Sequence, residues 1–161
     1  MAVSIHNFFT KPVRYIMQEK VKIMEPQTTV AEAVKFMKEN NLGFVVVELS
    51  PGKLGIVTEN DLVFRVIGEG KDPKSTTLKE IATPEPVTVP QSASLEYALK
   101  LMRDRKVRRL IVVDEKKRPV GRLDQKFFFS SFVNVATGAP DSECKSWMER
   151  YIHDIMDYNV A

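Results

Sequence analysis

Little in this chain can be disulfide-bonded, chelated or threaded through a membrane. It has one cysteine in 161 residues, Cys144, so no internal disulfide can form. A reducing, cytoplasmic setting is the expectation. The two histidines, His6 and His153, stand in the flanking segments, and with a single thiol they match no zinc-ligand spacing. No apolar run reaches the roughly 18 residues of a membrane-spanning helix. The opening MAVSIHNFFTKPVRYIM carries no long apolar stretch of the secretory kind and reads as mature protein. A glycine-rich phosphate loop is missing, and so is a spaced nucleophile–base pair, which argues against an enzyme. Charge of one sign is scarce too: 24 Lys and Arg against 21 Asp and Glu leave +3, too weak an excess to argue for nucleic acid by itself.

What the chain does have is the makings of an ordinary core. A hydrophobic fraction of 43% beside a charged fraction of 28% is that of a soluble globular domain. A chain of this length suits one compact unit, or two small ones sharing a core, and buries roughly two-thirds of its unfolded surface without a metal or disulfide staple.

It also repeats itself. Val30, Ala33, Val34 and Met37 recur as Leu95, Ala98, Leu99 and Met102, each 65 positions on, and both sets mark one apolar helical face. Thr29 and Glu32 are spaced for a capping box at the first helix, and Ser94 stands at the cap position of the second. Ile16 matches Ile81, and Val45-Val46-Val47 matches Leu110-Ile111-Val112, short runs suited to buried strands. After one extra residue, Gly55-Ile56-Val57 matches Gly121-Arg122-Leu123. The turn-rich LSPGK and DEKKRP precede these last strands. Each copy reads strand, helix, strand, turn, strand, helix, with a crossover across the first helix and a hairpin after it. The division expected is an N-terminal segment with the first repeat over 1–67, a linker over 68–76, the second repeat over 77–133 and a helical tail over 134–161. About 60 residues would be marginal alone, so the two copies are expected to pack face to face, share a core and leave a cleft.

The paired helices VAEAVKFM and LEYALKLM, the strands GFVVV and VRRLIVVD, and GIVTEND, in this order and twice over, resemble a tandem pair of CBS domains, a Bateman module, from Pro12 to Phe129. The resemblance implies an α/β chain of α+β type: two β-α-β-β-α units in a pseudo-symmetric pair, with a C-terminal helical extension. It implies a regulatory module without catalysis that needs no cofactor and binds an adenosine-containing ligand such as AMP, ADP, ATP or S-adenosylmethionine. The family pattern G-h-x-[ST]-x-x-D falls on Gly55, Ile56, Thr58 and Asp61. By resemblance, Asp61 accepts from the ribose hydroxyls, Thr58 offers a hydroxyl near sugar or phosphate, and Ile56, Val21 and Leu42 pack on adenine. Backbone groups of Met17, Lys22 and Gly43 would read the base edge. VRRL would turn Arg108 and Arg109 towards phosphate, for which a guanidinium is a good bidentate donor. The second copy departs from the pattern, with Asp124 at the threonine position and Phe127 at the aspartate position. One strong site is therefore expected, with AMP bound ahead of adenosine.

Each signal also has a plainer reading. Thr58 and Asp61 suit a helix N-terminus, and one side chain can cap and bind alike. Arg108 and Arg109 belong to RDRKVRR, and a basic cluster at a helix end is usually a solvated face. Successive strand residues point to opposite faces, so one arginine enters a given cleft; Arg109 is preferred, and the reverse order stays open. The rival functions are a protein-interaction scaffold and a nucleic-acid binder using RDRKVRR with Lys116, Lys117 and Arg118. A homodimer is expected through apolar faces near Leu62–Ile67 and Lys126–Val133, with a regulated protein as a further partner. The tail carries Trp147, Tyr151, Ile152 and Ile155 near helical spacing, a stripe read as packing on the module or on a second subunit, with docking to another protein as the alternative.

Overall fold

In the computed structural model, which describes residues 5–19 and 21–136, the chain forms two four-stranded sheets flanked by helices, a mixed α+β fold. Cys144 and the stripe from Trp147 to Ile155 lie outside the described residues. The chain starts with α1 (Ile5–Phe9), a 3₁₀ turn (Val13–Tyr15) and β1 (Gln18–Glu19). The first repeat then runs β2 (Ile23–Met24), α2 (Val30–Glu39), β3 (Phe44–Ser50), β4 (Lys53–Thr58), α3 (Glu59–Asp61) and a π-helical stretch, Leu62–Ile67. The second runs α4 (Leu78–Ile81), β5 (Thr83–Pro84), β6 (Thr88–Pro90), α5 (Leu95–Asp104), β7 (Arg109–Val113), β8 (Pro119–Asp124) and α6 (Gln125–Ala136). No helix among the described residues is long and apolar enough to cross a membrane.

The local causes are those the sequence signals. Thr29 and Glu32 make the capping box that starts α2, and the Ser94 hydroxyl accepts from the Tyr97 amide to start α5. A helix between strands permits parallel pairing, and β2 pairs parallel to β3 as β6 does to β7. The two hairpins, β3–β4 and β7–β8, are antiparallel.

The compact units do not follow the repeat boundaries. Among the described residues, 21–86 form one unit, and residues 5–19 join residues 87–136 to form the other. The reason lies in the shortest strands. β1 precedes the first repeat but pairs antiparallel with β8, and β5 opens the second repeat but pairs with β4. The sheet orders are accordingly β1-β8-β7-β6 and β2-β3-β4-β5. Glycine admits each short strand. A Cβ on Gly121 would lie 3.0 Å from the Gln18 carbonyl oxygen, and one on Gly55 would lie 2.9 Å from Leu49 and 3.2 Å from Ala82.

Each unit has a hydrophobic cluster of its own. In residues 21–86, Val30, Ala33 and Met37 of α2 meet Val45, Val47, Val57, Val66, Leu78 and Ile81. In the other unit, Leu95, Ala98, Leu99 and Met102 meet Leu110, Val112 and Leu123 together with Phe8, Phe9, Phe128 and Phe132. The helical faces differ at one position: Val34 is 41% exposed, whereas its counterpart Leu99 is 5%. The helix α1 packs on α5 and α6, and the residues 65 further on than α1 form no helix.

Candidate functional site

The corner from β4 into α3 carries the motif. Thr58 is extended, and its hydroxyl oxygen accepts from the Asp61 amide at 3.4 Å. In return Asp61 Oδ2 accepts from the Thr58 amide at 2.8 Å and from the Thr58 hydroxyl at 2.7 Å. This is a closed capping box. The hydroxyl proton is committed to Asp61, so Thr58 can offer a ligand a lone pair and no donor. Asp61 Oδ1 faces the Arg65 Nε at 3.4 Å, with the Asp61 side chain 12% exposed and that of Arg65 43%. The Arg65 Nη1 donates to the Ile81 carbonyl at 2.7 Å.

Val21, Lys22, Leu42, Gly43 and Ile56 belong to the same unit as this corner. Thr58 stands across from Phe44, and Ile56 from Val46, in the β3–β4 register. Cross-strand partners share a face, here the one opposite the core-facing Val45 and Val47. The Gly43 carbonyl accepts from the Glu59 amide at 3.2 Å, which ties the end of the α2 loop to the start of α3. Leu42 is partly spent on the core, and the Lys22 ammonium lies 6.0 Å from the centre of the Phe36 ring. Met17, Arg108 and Arg109 belong to the other unit.

In that unit Arg108 repeats the position of Gly43: its carbonyl accepts from the Gln125 amide at 2.9 Å. Its side chain is exposed. Arg109 is half-buried and sits across from Asp124 in the β7–β8 register, on the face opposite the core-facing Leu110 and Val112. Asp124 caps α6, accepting from the Phe127 amide at 2.7 Å. Two residues before Asp124, on the same face, Arg122 Nε donates to Gln18 Oε1 at 3.1 Å. Of the other cations in the basic segments, Arg103 pairs with Asp104 at 2.9 Å and Arg118 with Asp114 at 2.7 Å. Local acids thus offset part of the charge on which a nucleic-acid reading would draw.

Two strand-to-helix corners 66 residues apart, each closed by its own cap behind a parallel crossover and a hairpin, describe one unit used twice. The profile for the CBS domain matches residues 13–68 and 78–126. The chain belongs to the CBS domain family. An uncharacterised protein of Methanopyrus kandleri is 34% identical over 97 residues, 60% of this chain and 50% of its own length. The CBS domain-containing protein YhcV of Bacillus subtilis is 32% identical over 103 residues, 64% of this chain and 73% of its own. This chain therefore spans half the length of the archaeal relative. Among solved structures, a hexameric CBS-CP12 protein from bloom-forming cyanobacteria superposes with a TM-score of 0.69 at 30% identity, covering 89% of this chain and 87% of that one.

The two CBS repeats are not equivalent at their corners. The first has Ile56, Thr58 and Asp61; the second has Arg122, Asp124 and Phe127. Arg65 and Arg122 were missed by sequence reasoning. Arg65 had a signal, the i to i+4 spacing from an acid on a helix. Arg122 had only its alignment with Ile56. The CBS pair also shows a bare apolar surface on the π-helical stretch, where Val63, Phe64 and Ile67 are 49%, 68% and 75% exposed. The other face expected to dimerise is mostly consumed: in α6, Phe128 and Phe132 are buried among Phe8 and Phe9, while Phe127 stays partly exposed.

Proposed function

We propose that this CBS pair is a regulatory module that binds an adenine nucleotide, AMP, ADP or ATP, and passes its occupancy to a second subunit or a regulated protein without catalysing a reaction. The observation that carries the reading is the first corner. There Asp61 is a mostly buried carboxylate with Oδ2 saturated by Thr58 and acceptor capacity left on Oδ1. That is the chemistry a ribose hydroxyl asks for, and Thr58, with a lone pair to give, suits a second hydroxyl. Ile56, Val21 and Leu42 would pack on adenine, and backbone groups of Met17, Lys22 and Gly43 would read its edge. Arg109, assisted by Arg108, would take the phosphate. Ligand binding would favour one arrangement of the module over others. A homodimer through Val63, Phe64 and Ile67 is part of the proposal, because these side chains leave apolar surface uncovered.

The test is a thermal-shift panel followed by calorimetry. A ligand at 100 times its Kd adds about 2.7 kcal/mol to stability, so AMP should raise the midpoint by several degrees. A charge-assisted hydrogen bond contributes roughly 1.5–3 kcal/mol, so AMP should bind about 10- to 100-fold more tightly than adenosine. A midpoint indifferent to every adenine nucleotide would leave the scaffold reading, and tighter binding of S-adenosylmethionine than of AMP would reject the phosphate assignment.

A further inference from the structure

We infer that Arg65 is the positioning residue of the ribose acceptor, an inference that rests on the nucleotide reading above. Thr58 fixes only one oxygen of Asp61, since both of its contacts to the carboxylate end on Oδ2. Such a carboxylate could still turn about that oxygen. Arg65 holds the other one, with Nε 3.4 Å from Oδ1. The guanidinium is itself anchored, because Nη1 donates at 2.7 Å to the carbonyl of Ile81, a buried residue ending α4. An ordinary surface ion pair has two mobile partners and contributes little. This one has a guanidinium tied by one nitrogen to buried backbone and set by another 3.4 Å from the acid, so a fixed positive charge biases the orientation of the carboxylate before a ligand arrives. An acceptor already in place loses no ordering entropy on binding.

The second repeat supports the pairing of roles. The positions 66 residues beyond Asp61 and Arg65 are Phe127 and Ser131, so acceptor and positioner are missing together, while the cap survives as Asp124. A helix start needs the cap and not the arginine.

The experiment separates positioning from mere stabilisation through sugar specificity. Calorimetry on the full chain would compare AMP with its 2′- and 3′-deoxy forms for wild type, Arg65→Gln and Arg65→Lys, with the thermal midpoint of each variant recorded. Wild type should prefer AMP over the more strongly discriminated deoxy form by about tenfold or more. Arg65→Gln should bring that ratio to within about threefold, mainly by weakening AMP, and Arg65→Lys should fall between, since an ammonium gives one point charge and no fork. If Arg65→Gln fails to fold, a reduced ratio in Arg65→Lys at an unchanged midpoint carries the same support. A variant that keeps the wild-type ratio, whatever its stability, overturns the inference and leaves the nucleotide reading standing. Wild type that binds no nucleotide overturns both, and wild type that binds AMP without telling it from either deoxy form overturns this inference and the assignment of Asp61 to ribose.

Discussion

The chain contains its own control for the candidate site. In the α2 box, Glu32 Oε2 accepts from the Thr29 amide at 2.9 Å and from its hydroxyl at 2.7 Å. In the α3 box, Asp61 Oδ2 accepts from the Thr58 amide at 2.8 Å and from its hydroxyl at 2.7 Å. The two boxes match in geometry and differ in setting, the first exposed and the second partly buried with Arg65 beside it. Asp61→Ala removes a cap, which costs about 1 kcal/mol. It also removes a long, half-solvated ion pair that contributes a few tenths of a kcal/mol, up to about 1. The sum is about 1–2 kcal/mol, or roughly 2–8 °C in the midpoint for a chain of this size. Its effect on AMP should be far larger than any effect on fold. Losing one ribose hydrogen bond to a charged acceptor weakens binding by at least about tenfold, and losing two by several hundredfold. Glu32→Ala should also soften a helix start but leave AMP affinity within about twofold, as expected of a remote, independent site. Calorimetry with AMP on the two variants, alongside urea unfolding, reads both effects. Unchanged AMP affinity in Asp61→Ala, or equal losses in the two variants, would refute the assignment of Asp61 to ribose.

Three further outcomes are expected. Calorimetric stoichiometry should give one strong site per chain, because Phe127 cannot accept from a ribose and Asp124 repels phosphate; two comparable sites would contradict this. Light scattering at micromolar concentration should give a mass above the 18.3 kDa of one chain, and Phe64→Glu with Ile67→Glu should lower it; a wild type that runs as a monomer would dismiss the dimer. Backbone and hydroxyl donation from Thr29 holds the Glu32 carboxyl below its ordinary value of 4.5. A depressed carboxylate stabilises the fold above its unfolded pKa, and that contribution fades as pH falls through the folded one. The stability gap between wild type and Glu32→Gln should therefore be full at neutral pH and close on acidification below about 4.5, whereas a gap constant with pH would be inconsistent with the box.

The parts of the fold that could be read in the sequence are those with a periodic or stereochemical signature. The offset of 65 places both long helices and both hairpins, and Thr29, Glu32 and Ser94 stand at the caps where their residue types predict. The CBS family could be read from the same order of elements. What could not be read has no such signature. β1 and β5 are too short to alternate, so nothing in Gln18-Glu19 or Thr83-Pro84 tells which sheet each joins. The π-helical stretch is defined by hydrogen bonds such as Gly68 amide to Val63 carbonyl at 2.8 Å, which leave the spacing of apolar residues unchanged to the eye. At the candidate site, the Thr58–Asp61 spacing predicted both a cap and a ligand group, and the structure displays the cap. Arg65 went unseen because its second partner, the Ile81 carbonyl, is backbone and lies 16 residues away.

The exchange of short strands also sets a timetable. The unit spanning residues 21–86 is one continuous piece of chain, so all of its internal partners exist once its last residue is made. The other unit cannot: Gln18 must wait for Arg122, 104 residues later. At about 5–20 residues per second of synthesis, that is a wait of roughly 5–20 s. Through it Phe8 and Phe9, which end up 1% and 6% exposed, lack the Phe128 and Phe132 rings that cover them. The half of the protein that carries Asp61 thus has all of its partners early in synthesis, and the half that carries Arg109 lacks some of its own until residues about 104 positions apart have both been made.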